Sequence, residues 1–253
     1  MALFGKKSTN CAICGKEVKT GLLRGLFQKK IEDQLICKEC YGTVDLPVDV
    51  ECNMTLNRFR EYMAFRDANQ KLKDAFRITR QVDFGVFEEK IVFDNYRRLM
   101  CMSKDLSTTV FEARQIKSFR IKEDEKIIFA GGADGLQSYE SAVPAQINAL
   151  QPQINMYMMQ KRRFEAETAR MSEEQRQQAQ QREPKFNAVA PFRKFTVEIR
   201  LDHPFWNVLT ADLDAPILDQ KNPDTYAYMN DYNRSFGTMQ DLADALMELG
   251  IAR

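Results

Sequence analysis

Long apolar runs are absent from this sequence, and no stretch approaches the roughly 18–20 residues that a membrane-spanning helix needs. A charge excess of either sign is absent too. The 37 Lys and Arg against 36 Asp and Glu leave a formal net charge of +1, so global charge selects neither nucleic acid nor a membrane surface as a partner. Histidine occurs once, at His203, with no serine or cysteine in a recognisable nucleophile motif. It is expected to be a structural histidine. Motifs for a nucleotide, a flavin or a nucleophilic serine are missing. The run Gly131-Gly132-Ala133-Asp134-Gly135 lacks both the Lys-Ser or Lys-Thr of a P-loop and the spacing of G-x-G-x-x-G, and is expected to be a flexible loop. Asp212 and Asp214 fall in a loop or strand edge and do not by themselves define an acid and a base. These absences predict a protein that is not an enzyme. Residues Met1 to Cys11 carry lysines without an apolar core, so they do not read as a signal peptide, and the expected location is cytoplasmic.

What the sequence does hold is cysteine in a pattern. Four of its six cysteines form two C-x-x-C pairs, Cys11-Ala12-Ile13-Cys14 and Cys37-Lys38-Glu39-Cys40, with 22 residues between them. Each pair aims two sulfurs from one small loop at one point, and zinc takes four ligands in a tetrahedron for which thiolates are well suited. Gly15 follows the first pair, where the turn often needs a positive φ. A redox dithiol or two disulfides is what a single pair leaves open. Two pairs at this spacing in a cytosolic protein favour zinc. Four thiolates close the coordination shell, so the predicted ion, one per chain, is structural rather than catalytic. A unit of about 40 residues has too little core to fold alone, and the metal supplies the missing folding free energy. Leu22, Leu23, Leu26, Phe27, Ile31, Leu35 and Ile36 are expected to form a hairpin and the small core beneath it. Tyr41-Gly42-Thr43-Val44, after the second pair, reads as a short helix. Cys52 and Cys101 are expected to be buried apolar thiols.

The predicted fold class is α+β, in three parts. Residues 1–46 form the finger. Residues 47–76 form a linker and an amphipathic helix capped by Thr55, with Leu56, Phe59, Tyr62, Met63 and Phe65 at helical spacing. Residues 77–253 form a β-rich domain. Short strands at Ile91 to Phe93, Leu99 to Met102, Val110 to Ala113, Phe119 to Ile121 and Lys126 to Ala130 predict one antiparallel sheet or small barrel. A polar helix over about 145–183 is inserted there, with its main part starting at Pro152 and its end marked by Pro184. Phe195, Val197, Ile199 and Leu201 alternate with polar residues, which predicts a strand that returns to the 77–130 sheet across the insertion. Two C-terminal helices follow. One runs from Pro223 to about Arg234, and a second is capped by Thr238 and stopped by Gly250.

The stretch from Cys11-Ala12-Ile13-Cys14-Gly15-Lys16 to Leu35-Ile36-Cys37-Lys38-Glu39-Cys40-Tyr41 resembles a treble-clef zinc finger domain of unknown function found at the start of many uncharacterised bacterial proteins. The likeness covers about the first 46 residues and includes all four ligands. The segment from Val110 to Ile121 resembles a strand and turn of bacterial pleckstrin-homology-like domains. Neither resemblance supplies an activity; together they imply a binding or adaptor protein. Charge bears on the partner. Residues 1–46 hold eight cations and five carboxylates, and four thiolates with one zinc ion bring the finger to about +1. Residues 154–185 hold seven cations against five acids. Such weak charge is a poor footprint for phosphate binding, and no run of interleaved aromatic and basic residues suggests a single-strand groove. A protein partner is therefore expected, with a nucleic-acid-binding finger as the alternative.

Overall fold

The structure, a computed structural model, describes residues 9–18, 29–42, 44–84, 89–103 and 106–250. Near the N-terminus two short hairpins flank the cysteines. β1 (Thr9–Asn10) pairs antiparallel with β2 (Glu17–Val18), and β3 (Lys30–Ile31) with β4 (Gln34–Leu35). The β3–β4 turn is Glu32-Asp33, both left-handed at φ 49° and 61°, as a two-residue type I′ hairpin requires. α1 (Lys38–Tyr41) starts inside the second cysteine pair, with Cys37 as its N-cap. Ile31 and Ile36 are buried as expected. Leu22, Leu23, Leu26, Phe27 and Thr43 lie outside the described residues.

The following segment holds α2 (Val48–Cys52) and α3 (Leu56–Ala75). Thr55 caps α3 as its sequence position predicts, its hydroxyl accepting from the Arg58 N–H at 3.2 Å. Cys101 is buried, but Cys52 is exposed and corrects the expectation, because α2 buries none of its residues. α3 serves two cores. Leu56 and Phe59 close a cluster with Cys11, Ile31, Ile36 and Cys40. Tyr62, one turn on, belongs to the large core beyond.

The β-rich part has two sheets rather than one. β5 (Arg80–Phe84), β6 (Glu89–Asp94), β7 (Leu99–Cys101) and β8 (Val110–Glu112) form an antiparallel meander. A 3-10 turn at Ala113–Gln115 then ends the sheet. It is held by a reciprocal cap in which the Gln115 side chain accepts from the Glu112 N–H at 2.8 Å, and it redirects the chain into a second sheet. That sheet contains β9 (Ile116–Glu123), β10 (Lys126–Gly132), β11 (Gly135–Ser138), β12 (Lys194–Leu201) and β13 (Val208–Asp214), ordered β11-β10-β9-β12-β13. β12 pairs with β9, Val197 opposite Ile121 and Ile199 opposite Phe119. The segment between β11 and β12 thus leaves and rejoins one sheet, as the isolated alternation at 195–201 predicts. The glycine-rich run is a tight hairpin, not a flexible loop. Gly131 lies in β10, where a Cβ would come within 2.2 Å of the Phe119 ring, and Gly135 turns the chain at φ +93°.

Helices close this core. α4 (Val143–Thr168) begins well before Pro152, which sits inside it. An interior proline costs a helix about 3 kcal/mol, but Ile147 and Ile154, buried on either side of Pro152, hold both halves on the core. α5 (Glu173–Ala179) follows and buries nothing. The two expected terminal helices are one, α6 (Thr225–Glu248), capped by Asp224. Its apolar stripe, Tyr228, Tyr232, Met239, Leu242 and Leu246, is continuous across Gly237, which outweighs the roughly 1 kcal/mol helix penalty of a glycine. Thr238 is therefore mid-helix, and its hydroxyl donates to the Arg234 carbonyl. Gly250, at φ +78°, does stop the chain after α6, its N–H donating to the Met247 carbonyl.

Candidate metal centre

The two cysteine pairs converge because each is built on a reverse turn. In the first, the Cys11 N–H donates to the Lys16 carbonyl at 2.8 Å and the Gly15 N–H to the Cys11 carbonyl at 2.9 Å, with Gly15 at φ +72° completing the knuckle. In the second, α1 winds directly after Cys37, so Cys40 falls one turn later on the same side. The Ala12 N–H donates to the Leu35 carbonyl at 2.9 Å, which ties the first knuckle to the second hairpin.

The four sulfurs of Cys11, Cys14, Cys37 and Cys40 all lie within 4.8 Å of one another. The Cys14 and Cys37 sulfurs are 3.6 Å apart. A tetrahedral zinc with bonds of about 2.3 Å spaces its sulfurs at roughly 3.8 Å, so the cluster fits after contracting by about 1 Å at most. Backbone N–H groups already point at the sulfurs. Cys37 N–H donates to the Cys11 sulfur at 3.2 Å, Ile13 N–H to the same sulfur at 3.5 Å, and Cys40 N–H to the Cys37 sulfur at 3.4 Å. At Cys11 burial opposes ionisation, but the N–H groups of Cys14, Cys37 and Ile13 outweigh it and lower the thiol to about 6. Burial pushes Cys37 and Cys40 upward, and at Cys40 the crowding of neighbouring sulfurs adds to it. Four sulfurs this close cannot all carry negative charge unaided; a cation among them reverses that balance. The donor set therefore suits a metal ion, and all four positions of a tetrahedron are filled by protein.

Three supports around the centre have no signal in the cysteine spacing. Lys16 of the first knuckle meets Glu39 of the second at 2.5 Å, though both are exposed enough that the pair contributes little. Arg60 of α3 donates to the Ala12 carbonyl at 3.2 Å, and the Glu32 carboxylate accepts from the Leu56 N–H at 3.3 Å. Both fasten the knuckles to α3.

His203 lies in a buried ring of aromatics: Phe65, Phe111 and Trp206 are 4.8, 5.6 and 5.0 Å away, centroid to centroid. Its Nδ1 accepts from the Phe205 N–H at 3.1 Å, and burial lowers its pKa to about 4. Asp212 and Asp214 lie on the edge strand β13. The Asp212 carboxylate accepts from Lys194 at 2.5 Å and Thr196 at 2.7 Å, and the lysine bond holds its pKa low. Among the described residues no helix is long and apolar enough to cross a membrane. No protein-family model, curated protein or solved structure matches the chain.

Proposed function

We propose that this chain is a zinc-dependent interaction protein: one structural zinc ion held by Cys11, Cys14, Cys37 and Cys40 in a treble-clef finger, joined to a body that docks on a partner protein. The observation that carries this reading is the closed cluster of four sulfurs within 4.8 Å, which leaves no protein-free position for substrate and so suits a structural role. Knuckle, hairpin and a helix begun at the second pair are the treble-clef order. A four-strand antiparallel meander, a five-strand antiparallel sheet and a terminal helix over the core support a pleckstrin-homology-like body with α4 and α5 inserted. A non-enzymatic role is supported by the burial of His203 and by the pairing of Asp212 with Lys194.

A protein partner is supported over nucleic acid because two of the finger's four cations among the described residues are already engaged. Lys16 pairs with Glu39 at 2.5 Å, and Lys29 with Glu51 at 3.6 Å while also lying over the Tyr41 ring. A reducing compartment keeps four thiols available for metal, and a cytoplasmic location is part of the proposal. Metal analysis of reduced, metal-replete protein is expected to give one zinc per chain. Co-purification from native cells with nuclease treatment is expected to retain protein partners. Zinc near zero, or salt-sensitive recovery of nucleic acid with no stable protein, overturns the reading.

A further inference from the structure

The inner face of α4 is fixed to the core through Val143, Ile147, Ile154 and Tyr157, all buried. Its C-terminal half leaves another face uncovered. Met159, Arg162, Arg163 and Ala166 on that face, with Met158 half-buried against the core, buried Ile154 at the base and Pro223, line an open groove of about 700 Å³. Met159 is 51% exposed, and Met156 beside the groove is 55% exposed. No carboxylate lines the groove; its remaining polar groups are amides. Among the described residues neither arginine forms an ion pair: the Arg163 guanidinium reaches only the Met159 sulfur, at 3.9 Å. Lys161, the neighbouring cation, is engaged elsewhere, donating to the Lys221 carbonyl at 2.9 Å and to Asn222 at 2.8 Å. Glu165 and Glu167 follow on the helix, but neither lines the groove nor bonds to the two arginines.

A thioether floor rimmed by two unpaired guanidinium groups offers apolar and cationic contacts side by side. Methionine adapts its shape to apolar side chains, and arginine takes carboxylates in two-pronged bonds. We infer that this face of α4 docks an acidic amphipathic helix of a partner protein, its apolar side chains on Met158 and Met159 and its carboxylates on Arg162 and Arg163. The inference rests on the interaction reading above and specifies the partner's chemistry. A nucleic-acid backbone would use the arginines and leave the methionines uncovered. A second copy of this chain docked through the same face would set arginine near arginine. An acidic amphipathic helix satisfies both halves of the surface through the familiar spacing of apolar anchors.

The test uses full-length, metal-loaded protein and a labelled synthetic helix with leucines at i, i+3, i+4 and i+7 and glutamates elsewhere. Anisotropy is expected to show saturable binding. The same peptide with lysine for glutamate is expected to bind at least about tenfold more weakly. Arg162→Ala with Arg163→Ala is expected to weaken the acidic peptide by about tenfold or more, as loss of a charge-assisted bond implies. Met159→Ser is expected to weaken it severalfold, and Arg120→Ala, on exposed sheet surface, not at all. All these side chains are exposed, and circular dichroism checks that each variant folds. Absence of saturable binding, equal affinity for the lysine peptide, or indifference to the arginine pair overturns the inference. So does an oligonucleotide that binds and is lost with the arginines while the acidic helix fails, or self-association lost with them in the same way. Recovery of native protein partners by wild type and arginine variant alike overturns this surface and leaves the interaction reading standing. Recovery by neither, with the acidic helix unbound, overturns both.

Discussion

The N-terminal cysteine region, the finger of the proposal, and the β-rich body bury their cores differently. Among its described residues the finger buries only Cys11, Ile31, Ile36 and Cys40, and completes that cluster with Met54, Leu56 and Phe59 from beyond its second knuckle. Two of its four buried side chains are candidate ligands. The body instead interleaves two sheets with α4 and α6, so that Phe93, Phe119, Phe195, Ile199 and Leu242 are all but inaccessible. On the proposed reading, a metal ion takes the place of core volume in the first region, and the second relies on volume. The boundary between them falls within α3, between Phe59 and Tyr62, with Val44, Leu46, Val50 and Met63 touching both cores.

The comparison breaks most visibly at the metal. Cys37→Ser, or chelation, is expected to remove the finger's fold, since metal binding in zinc-finger peptides contributes on the order of 10–16 kcal/mol. Amide correlation spectra are expected to lose the finger resonances while those of β9 and β12 persist. Collapse of the β resonances as well would show that the two regions are one cooperative unit.

Two core truncations sharpen the boundary. Phe59→Ala is expected to cost about 3–5 kcal/mol and Ile199→Ala about 2–5. The difference lies in where each loss appears. Phe59→Ala is expected to weaken metal affinity while leaving the main melting transition nearly in place. Ile199→Ala is expected to lower that transition and leave metal affinity alone. Equal effects of both variants on both readouts would erase the boundary.

The body's side of α3 is expected to respond to acid. His203 contacts Phe65 of α3, and burial holds its pKa at about 4 against an ordinary 6.5. The folded state therefore binds fewer protons than the unfolded state between those values. Stability is full above about pH 6.5 and falls as pH drops towards 4, by up to about 3 kcal/mol, less whatever attraction the aromatic faces offer the cation. His203→Phe is expected to flatten this slope, at the cost of an unpaired Phe205 N–H at neutral pH. Melting curves at pH 4.5 and 7 check both effects; an unchanged slope in the variant assigns the acid sensitivity elsewhere.

The same contrast explains what the sequence made legible. The convergence of four cysteines is local chemistry, and two C-x-x-C pairs announce it without any knowledge of the rest. β12 was equally readable, because Phe195, Val197, Ile199 and Leu201 all face the core. β13 alternates as well, with Leu209, Ala211 and Leu213 inward between exposed Thr210, Asp212 and Asp214, but only the small Ala211 is fully buried, so its apolar signal is weaker. Tertiary packing overrode local signals in the helices. Pro152 and Thr238 read as helix starts, yet buried residues on both sides carry α4 and α6 through them. The division of the strands into two sheets depends on the side-chain cap between Glu112 and Gln115, which hydrophobic periodicity does not register.

The smallest expected effect isolates the body from the finger at its far end. Arg98, in the β6–β7 turn, donates from Nε to the Leu249 carbonyl at 3.1 Å and from Nη2 to the Gly250 carbonyl, so it caps α6 where the helix dipole favours a cation. Its own backbone sits at φ 56°, a conformation that strains any residue with a Cβ. Arg98→Ala removes the cap and keeps the strain, and is expected to cost about 1 kcal/mol, or a melting shift of roughly 2–4 °C. Arg98→Gly removes the cap and relieves the strain, which is worth about 1 kcal/mol, so it is expected to lie near wild type. The order wild type, glycine, alanine in melting temperature is the signature of two opposed terms of similar size. Alanine and glycine melting alike would show that the turn is unstrained. Metal affinity is expected to stay constant throughout the series, because no part of the α6 cap touches the cysteine cluster or the residues of α3 that support it.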